Sequence, residues 1–210
     1  MQVAIIGTGN VGSALARALK STDHQVTLGA REPGKVAALA AETGARATTQ
    51  AAAAQAAEIV ILALPWHAAQ DAIAALGDLT GKTVIDCMNP LGMVDGALGL
   101  TMGHDTSGGE QVASWLPAAH VVKTLNQTGA EVMADTARLA HPPVMFLAGD
   151  NDAAKARVTT LLTDLGFQPR DAGDLTKARL LEPFAMVWIN QAIQRGQGRD
   201  WAFAAVGPSS

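Results

Sequence analysis

The sequence predicts an α/β domain: a doubly wound, mostly parallel sheet with helices on both faces and a small helical extension at the C-terminus. Three observations carry this. Short β-branched runs alternate with Ala/Leu-rich stretches long enough for crossover helices. The runs are apolar almost throughout, as strands buried on both faces are. Gly7-Thr8-Gly9-Asn10-Val11-Gly12 stands between the first strand and the first helix, the context that turns a loose glycine pattern into a Rossmann-type nucleotide turn.

The strands are expected at 3–6, 25–28, a weak 45–48, 59–64, 83–86, 120–123, 144–148 and 166–169. Alanine, the best helix former, dominates the segments between them. The Ala-rich stretch 51–57 reads as a small-residue helix packed close to the sheet. The interval 88–109 breaks the rhythm: it is glycine-rich, without clear period, and opens on Asn89-Pro90. It follows a strand, so it belongs at the carboxyl edge of the sheet, where such folds bind ligands. A long helix is expected over 175–195, with an apolar stripe of Leu180, Leu181, Phe184, Val187 and Trp188. Pro183 should kink it or mark its start. The stripe, with Trp201 and Phe203 beyond it, suits core plus an interface.

At 210 residues the chain is expected to form one domain, 1–210, with 1–150 as nucleotide-binding core. The strand and helix of 151–210 would then close the substrate site. Apolar residues make up 49% and charged residues 16%, which excludes a disordered chain. A net charge of −4 argues against nucleic acid or an anionic membrane as partner. The longest apolar run, 59–66, falls far short of the ~20 residues that span a bilayer. A single cysteine, Cys87, and the lack of a leader-like segment lead us to expect a reducing, cytoplasmic setting. There is no tyrosine, which excludes reductases that protonate substrate with a Tyr hydroxyl.

Within the turn, Gly7 permits the sharp bend, Gly9 lets backbone approach a pyrophosphate, and Gly12 lets helix and strand pack closely. Amides of Asn10 and Val11 point at phosphate from the positive helix end. An NAD site places a carboxylate about 20 residues further on, against the ribose 2′-hydroxyl. Here Ala30 and Arg31 occupy that place, with Lys35 close behind. Arg31 can stack on adenine and pair with a 2′-phosphate, so NADP(H) is expected. Glu32 should face solvent if Pro33 opens a helix.

Three strand ends deliver polar residues to one rim: Ala63-Leu64-Pro65-Trp66-His67, Cys87-Met88-Asn89-Pro90 and Lys123-Thr124-Leu125-Asn126. Asn89 and Asn126 can hydrogen-bond a carboxamide or planar heterocycle. His67 and Asn126 are the catalytic candidates. His67 is equally readable as a helix-start residue beside the cofactor. His24, His120 and His141 look structural, and His104-Asp105 lies in the irregular interval. Cys87 reads as a small buried hydrophobe. No spacing of His, Cys or carboxylates suggests a metal site.

Together these motifs resemble the coenzyme F420-dependent NADP oxidoreductase family, which includes NADPH:deazaflavin oxidoreductases and, distantly, the ferric-reductase domains of Steap proteins. The resemblance implies NADP lying across the glycine turn. It implies that residues matching Ala30, Arg31 and Lys35 hold the 2′-phosphate, though relatives often carry Ser or Thr in place of Ala30. It implies that Ala63, Leu64 and Pro65 run beside the nicotinamide, and that the protein is a homodimer. The second substrate it implies is a small-molecule electron acceptor, the deazaflavin F420 or a flavin, stacked between core and C-terminal part. Two other functions stay open. One is a carbonyl or imine reductase with His67, Lys123 or Asp171 as proton donor. The other is a non-catalytic NADP sensor.

Overall fold

The structure is a computed structural model that describes residues 1–207. Among the described residues there are ten strands: β1 (Gln2–Ile6), β2 (Gln25–Ala30), β3 (Arg46–Thr49), β4 (Ile59–Leu62), β5 (Thr83–Asp86), β6 (Leu91–Val94), β7 (Ala97–Leu100), β8 (His120–Lys123), β9 (Val144–Gly149) and β10 (Gln168–Gly173). Eight of them form one sheet in the order β10-β9-β8-β5-β4-β1-β2-β3. All neighbours are parallel except β8 and β9, so β9 and β10 run against the rest. Two apolar clusters, one per sheet face, bury the strands. The chain direction of the winding reverses beside β1, between β2 and β4, and that switch point opens the crevice where ligands bind.

The helices are α1 (Asn10–Leu19), α2 (Ala37–Thr43), α3 (Gln50–Ala56), α4 (Ala69–Ala74), α5 (Gly108–Trp115), α6 (Ala130–Ala134), α7 (Asp152–Asp164) and α8 (Ala178–Ile189). Helix α3 is the expected small-residue helix. Ala53 and Ala54 are fully buried. A Cβ on Gly29 would lie 2.7 Å from Ile6 and 3.1 Å from Ala53, so small side chains on both elements set this close approach. No helix among the described residues is long and apolar enough to cross a membrane.

Three expectations are corrected. The interval 88–109 is not wholly irregular: β6 and β7 form an antiparallel hairpin. Asp95 and Gly96 both take positive φ, 49° and 81°, as a tight two-residue hairpin turn requires, and Asp-Gly is a strong sequence signal for it. The last strand lies at Gln168–Gly173, later than expected, because Gly166 (φ 79°) ends the turn after α7 instead of starting β10. The helix expected over 175–195 is a 3-10 turn (Leu175–Lys177), then α8, then a π-turn (Asn190–Gln194). Pro183 sits inside α8. The stripe splits as well: Leu181 and Trp188 are buried and Phe184 is half-buried, whereas Leu180 and Val187 are 64% and 51% exposed.

A buried ion network ties α8 to the sheet. Lys123 Nζ, fully buried at the end of β8, lies 3.0 Å from Asp86 Oδ2 and 2.8 Å from Glu182 Oε1, and donates to the Met88 carbonyl. Glu182 also accepts from the amides of Gly108 (2.9 Å) and Gly109 (3.0 Å) at the start of α5. One ammonium thus faces two carboxylates, and the positive end of α5 balances the excess charge. Burial alone would push the Lys123 ammonium down, but the facing Asp86 and Glu182 carboxylates carry it above the ordinary lysine value.

Candidate active site

The carboxyl ends of β1, β2 and β4 frame a cleft of about 750 Å³, lined by the Gly7–Gly9 turn, Gly29, Ala30, Arg31, Ala63, Leu64, Pro65 and His67, with Asp71 and Ala72 of α4 opposite. A second hollow, about 290 Å³, shares Gly9, Ala63, Leu64 and Pro65 with it and adds Asn10, Val11, Cys87 and Arg199. The two share these walls beside the glycine turn, an arrangement that suits a long molecule with a bulky group at either end.

The three glycines of the turn differ in what holds them. Gly7 has φ 98°, and a Cβ there would lie 2.3 Å from the Ala63 carbonyl. On Gly12 a Cβ would fall 1.8 Å from the Gly7 carbonyl. Both are demanded by the fold. Gly9 is not: its φ of −73° suits any residue, and a Cβ would meet nothing within 4 Å. The space over Gly9 is open cleft, at the N-cap of α1. That helix start has no capping side chain and no acidic residue in its first turn, so its amides are free for an anion. These residues fit a dinucleotide pyrophosphate.

At the far end of the cleft, Arg31 lies exposed on the β2 end. Pro33 opens a short 3-10 turn, as expected. Lys35 on that turn is 73% exposed and pairs with Glu32 at 2.6 Å. Arg31 is therefore the cation that lines the cleft. Lys35 would have to leave Glu32 to reach a 2′-phosphate.

These features decide between families only with the comparisons. The pattern described as NADP oxidoreductase, coenzyme F420-dependent, matches residues 2–90. The crystal structure of a candidate F420-dependent NADP-reductase from Arthrobacter sp. FB24 is 36% identical, with a TM-score of 0.88 over 99% of this chain and 100% of that one. This chain belongs to the coenzyme F420-dependent NADP oxidoreductase family. It is an NADP-dependent reductase. Among curated proteins, rat metalloreductase STEAP3 is 30% identical over 182 residues, which is 86% of this chain and 36% of that protein. The chain thus spans about a third of the length of the curated relative it matches. A reductive aminase from Aspergillus terreus, solved with NADPH and ethyl levulinate, shares the fold at 22% identity and TM-score 0.68, over 93% of this chain and 62% of that one.

For an oxidoreductase of this family the rim residues sort by what they are free to do. Asn89 and Asn126 are largely committed to each other. Asn126 Nδ2 donates to Asn89 Oδ1 (3.0 Å), and Asn89 Nδ2 donates to the Asn126 carbonyl (2.9 Å). Gln127 Nε2 donates to Asn126 Oδ1 (2.9 Å). Leu125, buried at φ 54°, turns the chain so that this pair forms; a left-handed residue with a side chain costs about 1–2 kcal/mol. His67 is exposed and lines the larger cleft, not the smaller hollow. Lys123 is locked in the buried network. Asp171 lies on edge strand β10, paired with Lys155 at 2.9 Å. Of the three proton donors considered, His67 alone lies in the cleft.

The role of Cys87 is a small wall residue. Burial, reinforced by Asp86, pushes its thiol well above the ordinary value, so no thiolate forms near neutral pH. A thiol reagent should leave the native protein unmodified and react once it is unfolded, as mass spectrometry would show. Sequence reasoning missed Arg199 altogether. It lies in an irregular segment after α8, and nothing in its neighbours signals that it shares a hollow with Gly9. Asp71 and Ala72 were also missed, because a helix facing a cleft has the same pattern as one facing solvent.

Proposed function

We propose that this chain binds NADPH across Gly7–Gly12, with the 2′-phosphate at Arg31 and the nicotinamide beside Ala63, Leu64 and Pro65, and reduces a planar ring acceptor such as a deazaflavin or flavin. The observation that carries this is the open space over Gly9, a glycine that neither packing nor conformation demands. NADPH supplies a hydride from C4 to the acceptor ring, leaving NADP+, while the acceptor takes one proton from water. The protein's part is then placement. Backbone amides of α1 hold the phosphates, Arg31 fixes the adenine end, and the Pro65 wall orders the stack. Such positioning supplies roughly 7–11 kcal/mol of a barrier.

A ring acceptor needs no strong protein acid. That agrees with a chain lacking tyrosine and with Lys123 and Asp171 held in ion pairs. We place residues 151–210 as the part that closes the acceptor side. We also infer a cytoplasmic homodimer. Exposed Met93, Val94, Leu180, Val187 and Ile193 give apolar surface for the second copy.

Two experiments test this reading. Arg31→Ala should lower the NADPH-to-NADH affinity ratio about ten- to hundredfold, the worth of charge-assisted hydrogen bonds; an unchanged ratio would remove Arg31 from the site. NADPH deuterated at both C4 positions should deliver one label to C5 of a deazaflavin, where carbon retains it. Reduction without label in the ring would contradict direct transfer.

A further inference from the structure

Among the described residues Arg199 is the only charged one lining the smaller hollow, whose other walls are Gly9, Asn10, Val11, the Ala63-Leu64-Pro65 strand end and Cys87. It comes to this hollow from the opposite end of the chain to the glycine turn. Glu131 of α6 holds its guanidinium by Nε, at 3.0 Å from Oε2 and 2.9 Å from Oε1. Among the described residues no acceptor takes its two Nη groups. Guanidinium has five donors in a planar fork, so most of its capacity is unspent.

The arginine is also held in place. The Trp201 carbonyl accepts from Trp188 Nε1 at 2.9 Å, and Trp201 Nε1 donates to the Gly198 carbonyl at 3.1 Å. Asp200 pairs with Arg138 at 3.0 Å. The Phe203 carbonyl accepts from the Val144 amide at 2.9 Å. Gly129 leaves room for the holding carboxylate, since a Cβ there would lie 2.7 Å from Glu131 Oε2. A fork already ordered by its own segment loses little entropy on meeting an anion. Its free Nη pair matches the two oxygens of a phosphate.

The geometry points to Arg199 as the residue that selects the acceptor: it holds a phosphate ester carried by the ring compound and favours it over the neutral counterpart. This rests on the proposed function: with the nicotinamide beside Ala63, Leu64 and Pro65, a ring acceptor stacked on it from the side of residues 151–210 would carry its phosphate toward Arg199 at the edge of the hollow. FMN and riboflavin share a ring and differ in the terminal phosphate, so they isolate the term. Wild type, Arg199→Met and Arg199→Lys are compared by kcat/KM with NADPH and by flavin fluorescence titration of the NADP+-saturated protein. The Arg199–Glu131 pair is part-exposed, and losing such a pair costs little stability, so the variants fold.

Wild type should favour FMN. In Arg199→Met the FMN-to-riboflavin ratio should fall about ten- to hundredfold, mainly through KM, and Arg199→Lys should recover part of it. Equal ratios in wild type and Arg199→Met, or a wild type that does not bind FMN, would overturn the assignment. If FMN binds through Arg199 but no flavin oxidises NADPH, the proposed reduction of a flavin falls and the Arg199 site stands.

Discussion

Gly9→Asp should abolish NADPH binding and leave the fold intact, whereas Gly12→Ala should damage the fold itself. The two glycines stand three residues apart in one turn, yet the structure gives their missing side chains different reasons. Gly9 is the N-cap of α1 with nothing within 4 Å of a Cβ. Aspartate is a favoured N-cap and suits the positive helix end, so the thermal midpoint should hold or rise slightly. The same carboxylate would occupy the pyrophosphate's place. At 4 Å, like charges repel by ~4 kcal/mol near a protein surface, so affinity should drop by at least about a hundredfold. Gly12→Ala puts a methyl 1.8 Å from the Gly7 carbonyl and forces α1 off β1. Overpacking of this kind costs about 1–3 kcal/mol or more. Calorimetry and a thermal melt on both variants check the contrast. Tight NADPH binding by Gly9→Asp would mean the cofactor does not cross this turn.

Lys123→Met should be among the most destabilising single changes in the chain. It strands Asp86 and Glu182, both fully buried, without their shared cation. Breaking a buried pair from one side costs about 3–5 kcal/mol. At about 2–4 °C per kcal/mol for a domain of this size, the midpoint should fall by roughly 10 °C. Arg17→Ala provides the control. Its pair with Glu42 is about half exposed on both sides, and solvent and salt screen such pairs, so its loss should leave the midpoint nearly unchanged. The pH dependence follows from the raised Lys123 value. A group whose folded pKa is raised contributes fully below its unfolded value, roughly 10.4, and loses that contribution as pH climbs through the folded one. The gap between wild type and Lys123→Met should therefore persist through neutral pH and narrow only in strong alkali. Denaturant melts at several pH values check this.

How much of this was legible in the sequence depends on the range of the interaction. The winding and the glycine turn were legible, because apolar runs and Gly7, Gly9 and Gly12 encode them locally. The place of Arg31 on the cleft was legible because it depends on a fixed distance from the turn. The hairpin of β6 and β7 was encoded by Asp95-Gly96 but hidden by the surrounding glycines. Other features lay beyond reach because they join distant segments. Lys123 and Asp86 end neighbouring strands, but Glu182 meets them only after α8 docks against the start of α5. Asn89 and Asn126 end separate strands at the rim, and only the structure shows that their side chains also hydrogen-bond across to each other's segment. Arg199 and Gly9 line one hollow although nearly the whole chain separates them.

The central claim is that this NADP-dependent reductase passes hydride to a planar ring. It is tested most directly by following NADPH oxidation by the purified wild-type protein against F420, FMN, a ferric chelate and a panel of carbonyl and imine compounds. Turnover with a ring acceptor, and little with carbonyls or imines, is the predicted result. Turnover confined to carbonyls or imines and abolished by His67→Ala, or no NADPH oxidation with any ring acceptor, would contradict the account.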